Sequence, residues 1–216
     1  MPCVAPSEIV LPQVASTFGL IAENFIGKQY LRFVKRASFF PASIEDFQDI
    51  SLGFGNVRLY MAFIKLHNPK LTFAQLVAIQ ADALLKIPDL MRHDAVATEF
   101  YEIKPFSISG VGAGFTKIVA LEAFYGIFGL PYDLGTTWNP NERFRIFSGS
   151  VFGRKVEAYF HFFRLRPGLI VYEICLEGEL LDDLAVIAAI IAAIILIIIG
   201  RGRIPLPGPA PVPAIA

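Results

Sequence analysis

Leu184 to Ile199 is an unbroken run of 16 apolar residues, eight of them Ile. Such a run must leave water, and it carries no polar stripe with which to lie on a surface as an amphipathic helix does. As a helix it spans about 24 Å, at about 1.5 Å per residue. A bilayer's hydrocarbon core is about 30 Å thick and usually takes about 20 residues. Three placements satisfy the run: a membrane helix, a buried central helix, or a docking segment for a carrier protein. Asp182-Asp183 precede it and Gly200-Arg201-Gly202-Arg203 follow, a basic flank that suits a cytoplasmic side. Residues 204–216 carry five prolines and read as an extended, polyproline-like tail. The expected organisation is therefore one domain over residues 1–181, a hydrophobic helical segment over 182–203, and a Pro-rich tail over 204–216. The run is expected to control solubility, with the chemistry upstream of it.

Upstream, 216 residues with 55% hydrophobic content and 20 Phe exclude global disorder and suffice to bury a core. The formal net charge is zero, which argues against a nucleic-acid binder relying on bulk charge but leaves room for a local basic surface. Two cysteines, Cys3 and Cys175, are too few for a disulfide framework, and Cys175 reads as a buried thiol in an apolar strand. Three scattered histidines offer no zinc-ligand spacing, and no GxxxxGK[ST] phosphate loop is present. Residues 1–12 lack the basic and apolar regions of a secretory signal, so export would need another route.

Periodicity gives a mixed α/β chain. A helix is expected from Gln13 to about Arg36, with Phe18, Ile21, Ala22 and Phe25 on one face and Glu23 on the same helix. Residues 37–56 read as loop, with a short helix after Ser43. Helices are expected over Val57–Leu66 and from an N-cap at Thr72 to Lys86. The glycines after Pro105 read as a turn before a helix over Phe115–Phe128. Lys117 near its start could meet a phosphate, but an ordinary exposed Lys is the simpler reading. Arg143–Phe147, Arg154–Leu165 and Leu169–Leu176 read as a β-meander. His161, flanked by aromatics, reads as a satisfied core or interface histidine.

Between those helices lies the segment with chemistry. Pro88-Asp89 leads into a stretch with strand composition, Thr98 to Lys104, closed by Pro105. Side chains alternate on a strand, so Glu102 and Lys104 share one face, and Tyr101 and Ile103 point the other way, toward a core. Mg²⁺ takes oxygen ligands and keeps several waters. Asp89 and Glu102 could supply carboxylate oxygens and the Ile103 carbonyl a third, with Asp94 as a competing ligand. The ion would acidify a bound water. Lys104 could orient that water and stabilise the developing anion.

Pro88-Asp89 with Glu102-Ile103-Lys104 resembles the PD-(D/E)xK, restriction-endonuclease-like nuclease superfamily. The string Tyr101-Glu102-Ile103-Lys104-Pro105, followed by glycines and a helix, is similar to such domains in bacterial toxins and secreted effectors. The resemblance covers roughly Leu71 to Leu130. It implies a restriction-endonuclease-like core: a helix, a mixed sheet carrying the Asp and the Glu-x-Lys, and a helix behind. Around that core stand N-terminal helices, the C-terminal β-meander and the hydrophobic helix. It further implies Mg²⁺- or Mn²⁺-dependent cleavage of nucleic acid, with DNA favoured, and catalytic roles for Asp89, Glu102 and Lys104. An immunity or carrier protein is an implied partner, and some members carry a further acidic ligand on an N-terminal helix, a part open to Glu23, for which a solvent-facing Glu is the simpler reading. The competing expectation is a non-enzymatic membrane or secretion-assembly protein that contacts a bilayer through 184–199, with Glu-x-Lys a surface pair.

Overall fold

The alternation from Thr98 to Lys104 becomes strand β4 (Thr98–Pro105), and the molecule is arranged around it. The computed structural model describes residues 2–34, 37–39, 55–151, 153–178, 184–202 and 204. The described strands form one mixed sheet in the order β2 (Ala37–Phe39), β3 (Leu90–His93), β4, β8 (Leu169–Gly178), β7 (Arg154–Arg166), β6 (Asn141–Val151). Two short strands join it: β1 (Cys3–Val4) pairs with β8, and β5 (Asp133–Leu134) pairs with β4. β4 is parallel to β8 and β5 and antiparallel to β3. β6, β7 and β8 form the expected meander, turning at Gly153 and Gly168, whose positive φ of 77° and 75° suits glycine.

Helices cover both faces, giving a three-layer α/β architecture. Tyr101 and Ile103 of β4 pack with Phe18, Ala22 and Phe25 of α1 (Pro12–Phe33) and with the isoleucines of α5 (Leu184–Arg201). Phe100, one residue out of phase, packs on the other face with Tyr60 and Ile64 of α2 (Gly55–His67), Ile79 of α3 (Phe73–Lys86), and Ile118 and Leu121 of α4 (Ile108–Phe128). Thr72 caps α3 in a full capping box with Gln75.

Four expectations are corrected. The Ile-rich run does not stand apart from the domain. Ile187, Ile190, Ile191, Ile194, Ile195 and Ile198 recur at helical spacing and are buried, while Leu196 is 57% exposed on the other side. Of the three placements, the fold uses the central helix. The two cysteines are not free: β1 pairs with β8 in a register that sets Cys3 against Cys175, and they form a disulfide. A two-residue strand leaves no periodicity to read, so that pairing was invisible. Ala37–Phe39, expected as loop, is a strand held by β3; the short helix expected after Ser43 lies outside the described residues. Finally, α4 starts at Ile108, not Phe115, with Ser107 as N-cap accepting from the Gly110 N–H at 3.0 Å.

Two of the glycines read as a turn, Gly110 and Gly114, instead serve close packing. A Cβ at Gly114 would meet Leu169 Cδ1 at 2.7 Å and Lys104 Cγ at 3.2 Å. One at Gly110 would strike Pro105. Each interior helical glycine costs about 1 kcal/mol relative to Ala; here that loss lets α4 lie directly on β4.

Candidate functional site

β3 begins at Leu90, opposite Tyr101, so along Glu102–Pro105 β4 meets no strand on that side among the described residues. On its other side the same residues pair with β8. The result is a notch in the sheet. Backbone groups alternate in direction along a strand. Glu102 N–H turns to β8 and donates to Gly168 O at 2.8 Å. Ile103 N–H and C=O turn into the notch, where buried backbone groups need partners.

Side chains supply them. Pro88 holds Ile87 extended, at φ −84° and ψ 124°, and so carries the chain out of α3 toward the notch. Asp89 Oδ2 accepts from the Ile103 N–H at 2.6 Å. Lys104 Nζ donates to the Ile103 carbonyl at 3.0 Å. Lys104 also donates to Glu102 Oε1, and Lys117 of α4 reaches that same oxygen at 2.7 Å. Lys104 Nζ lies 3.9 Å from Asp89 Oδ2, and Lys117 Nζ 3.9 Å from Asp89 Oδ1. Each ammonium therefore spans the two carboxylates. Glu102 is wholly buried, and its Oε2 has no hydrogen-bond partner among the described residues.

Glu23 joins from the opposite face. It falls in the α1 stripe Gly19, Glu23, Ile26, Tyr30, beside the sheet. Burial, then the charge of Asp89, pushes its pKa up to about 8; Glu102 adds to the rise, while Lys104 and Lys117 oppose it. Burial, then Asp89, likewise lifts Glu102 to about 7 against the pull of the two lysines. Burial disfavours the Lys104 ammonium, but Asp89, Glu102 and Glu23 outweigh it and hold that group well above the ordinary lysine range. The Tyr172 hydroxyl borders the group, raised by burial and then by Glu23.

Asp89, Glu102, Ile103 and Lys104 are thus brought together, and Asp94 is not. Asp94 closes the turn between β3 and β4, at the far end of β3. Its Oδ1 accepts from Val96 N–H at 2.8 Å and Ala97 N–H at 3.1 Å, and its Oδ2 takes Arg92 Nε at 2.7 Å. Asp94, expected as a competing ligand, is corrected to a turn residue. His161 is satisfied as expected, by Glu173 at 2.9 Å and Asn141 at 2.9 Å. Sequence reasoning set Lys117 aside as exposed. The usable signal was its place between Gly114, Ile118 and Leu121, on the core-facing stripe of α4.

Asp89, Glu102 and the Ile103 carbonyl offer oxygen donors that could hold a hard cation, with two ammoniums beside them. Oxygen donors suit Mg²⁺ or Mn²⁺. The fit rests on Glu102 Oε2, a buried acceptor without a donor among the described residues, which costs about 1–3 kcal/mol unless something caps it. The sulfurs of Cys3 and Cys175, near Glu173, are bonded to each other and offer no thiolate. Comparison with family models, curated proteins and solved structures returned no match.

Proposed function

We propose that this chain is a metal-dependent nuclease that hydrolyses phosphodiester bonds, with DNA the favoured substrate. The single observation that carries this reading is the convergence of Asp89, Glu102 and Lys104 on the open edge of β4. Around it, a helix, an antiparallel pair with Asp89 just ahead of its first strand and Glu102-Ile103-Lys104 on its second, a covering helix and a parallel strand support this reading.

Asp89, Glu102 and the Ile103 carbonyl would hold Mg²⁺ or Mn²⁺, which when bound supplies an acidified water and charge for the phosphate. Lys104 orients the attacking water and stabilises the phosphorane-like anion. Glu23, with a pKa of about 8, suits proton transfer near neutral pH. Attack forms one P–O bond and breaks the other, and the leaving oxygen takes a proton. A toxin or effector role, with an immunity or carrier protein as partner, is the biological setting that the Tyr-Glu-Ile-Lys-Pro string suggests.

The test is purified protein with supercoiled plasmid and Mg²⁺, beside Glu102→Gln and a chelator control. The expected result is nicking or linearisation by the wild type alone. No cleavage by the wild type, or equal cleavage by Glu102→Gln, contradicts the assignment.

A further inference from the structure

We propose that Lys117 is a removable counter-cation: it neutralises the Asp89–Glu102 pair in the metal-free protein, and a divalent ion displaces it. The inference rests on the metal reading above and adds to it a gate that the chain carries within itself.

The geometry distinguishes the two lysines. Both ammoniums span the same two carboxylates, one on each oxygen of Asp89. Lys104 is also tied elsewhere. Its backbone is paired to Val171 of β8, its Nζ donates to the Ile103 carbonyl at 3.0 Å, and its Cγ lies under Gly114. Lys117 reaches in from α4 by its side chain alone, and among the described residues its ion pairs are with these two carboxylates. Its flexible stem, 27% exposed, has solvent to swing into.

Space and charge favour the departure of one of them when the ion bridges both carboxylates. An ion shared between Asp89 and Glu102 Oε1 stands about 2.1 Å from that oxygen. That is room the Lys117 ammonium, at 2.7 Å from Oε1, already fills. Asp89 and Glu102 balance Lys104 and Lys117. A dication adds two positive charges to that balanced group, and release of Lys117 takes one away. The anchored Lys104 stays beside the reacting water, and the tethered Lys117 goes.

The gate has a purpose in the metal-free state. Asp89 and Glu102 face one another in a buried notch, and uncompensated like charges there would open it. Lys117 keeps the ligands in register until metal arrives, and sets the metal concentration at which the site switches on.

Two measurements on the full chain test this. The first is residue-resolved lysine acylation read by mass spectrometry, on wild-type protein with and without Mg²⁺. Lys117 should become several-fold more reactive with metal, and Lys104 should not. The second is calorimetric titration with Mn²⁺. Lys117→Met should bind at least about tenfold more tightly than wild type, because a competing charge has gone. Lys117→Gln serves as the second variant, and thermal melts confirm that each is folded. Wild-type metal binding with unchanged Lys117 reactivity, or with equal or weaker binding in both variants, overturns the gate and leaves the nuclease reading standing. A wild type that binds no Mn²⁺ overturns both.

Discussion

Glu102 concentrates the physics of the site in one side chain: one carboxylate oxygen takes two lysines and the other takes no partner among the described residues. Its shared face with Lys104 was legible from strand alternation alone. The loss of Asp94 was not, because only the folded turn shows both its oxygens already spent. Glu23 and Lys117 were visible as charges on helices, yet seeing them as inward-facing required stripes read through a glycine. These buried acids predict a pH dependence. Glu23 and Glu102 have folded pKa values raised to about 8 and about 7 from 4.5. Above pH 4.5 the unfolded chain loses those protons while the folded chain keeps them, so stability falls as pH rises through that window. Metal-free protein should therefore lose melting temperature from about pH 5 to about pH 8, and Glu23→Gln should flatten the loss. Melts in chelator across that range check this; a wild-type profile that rises, or that matches the variant, contradicts it.

Elements with many residues in phase were readable, and those defined by a partner were not. α1, α3, β4 and the meander follow from periodicity and one capping box. β1, β2 and β5 are two or three residues long and exist only because a longer strand pairs with them. The start of α4 was missed because glycine reads as a turn, whereas here it permits close contact with β4. α5 was ambiguous for a different reason: an all-apolar run conceals which face is buried. The structure separates those faces, and that separation is testable. Ile191→Ala, at a wholly buried position, should destabilise by about 2–5 kcal/mol. Leu196→Ala, on the exposed side, should stay within about 0.5 kcal/mol. Urea melts of both variants decide it. Equal, negligible effects would remove α5 from the core and return the run to a carrier or membrane.

At the scale of the whole molecule, the first strand is fastened to the middle of the sheet. The Cys3–Cys175 bridge spans 172 residues and joins β1 to β8, two elements away from the helix that carries Glu23. In the chain-entropy account, closing a loop of that length stabilises by about 5 kcal/mol. Cys3→Ala should lower the urea midpoint and steepen the slope, because the denatured chain without the cross-link is less compact, and reduction should do the same in the wild type; an unchanged midpoint means the bridge does not form in solution. The fold thus holds one sheet between two helical layers, with its notch supplied from both: Glu23 from one, Lys117 from the other. The central claim is that this notch performs phosphodiester hydrolysis, and Lys104 tests it most directly. An ammonium is not a metal ligand, so Lys104→Ala should bind Mn²⁺ at least as well as wild type and stay folded. In single-turnover cleavage of a labelled duplex at saturating Mg²⁺, its chemical step should slow about a hundredfold or more, the scale of losing a preorganised electrostatic group. A wild-type rate in Lys104→Ala would contradict the assignment and leave Glu102 and Lys104 as a structural ion pair.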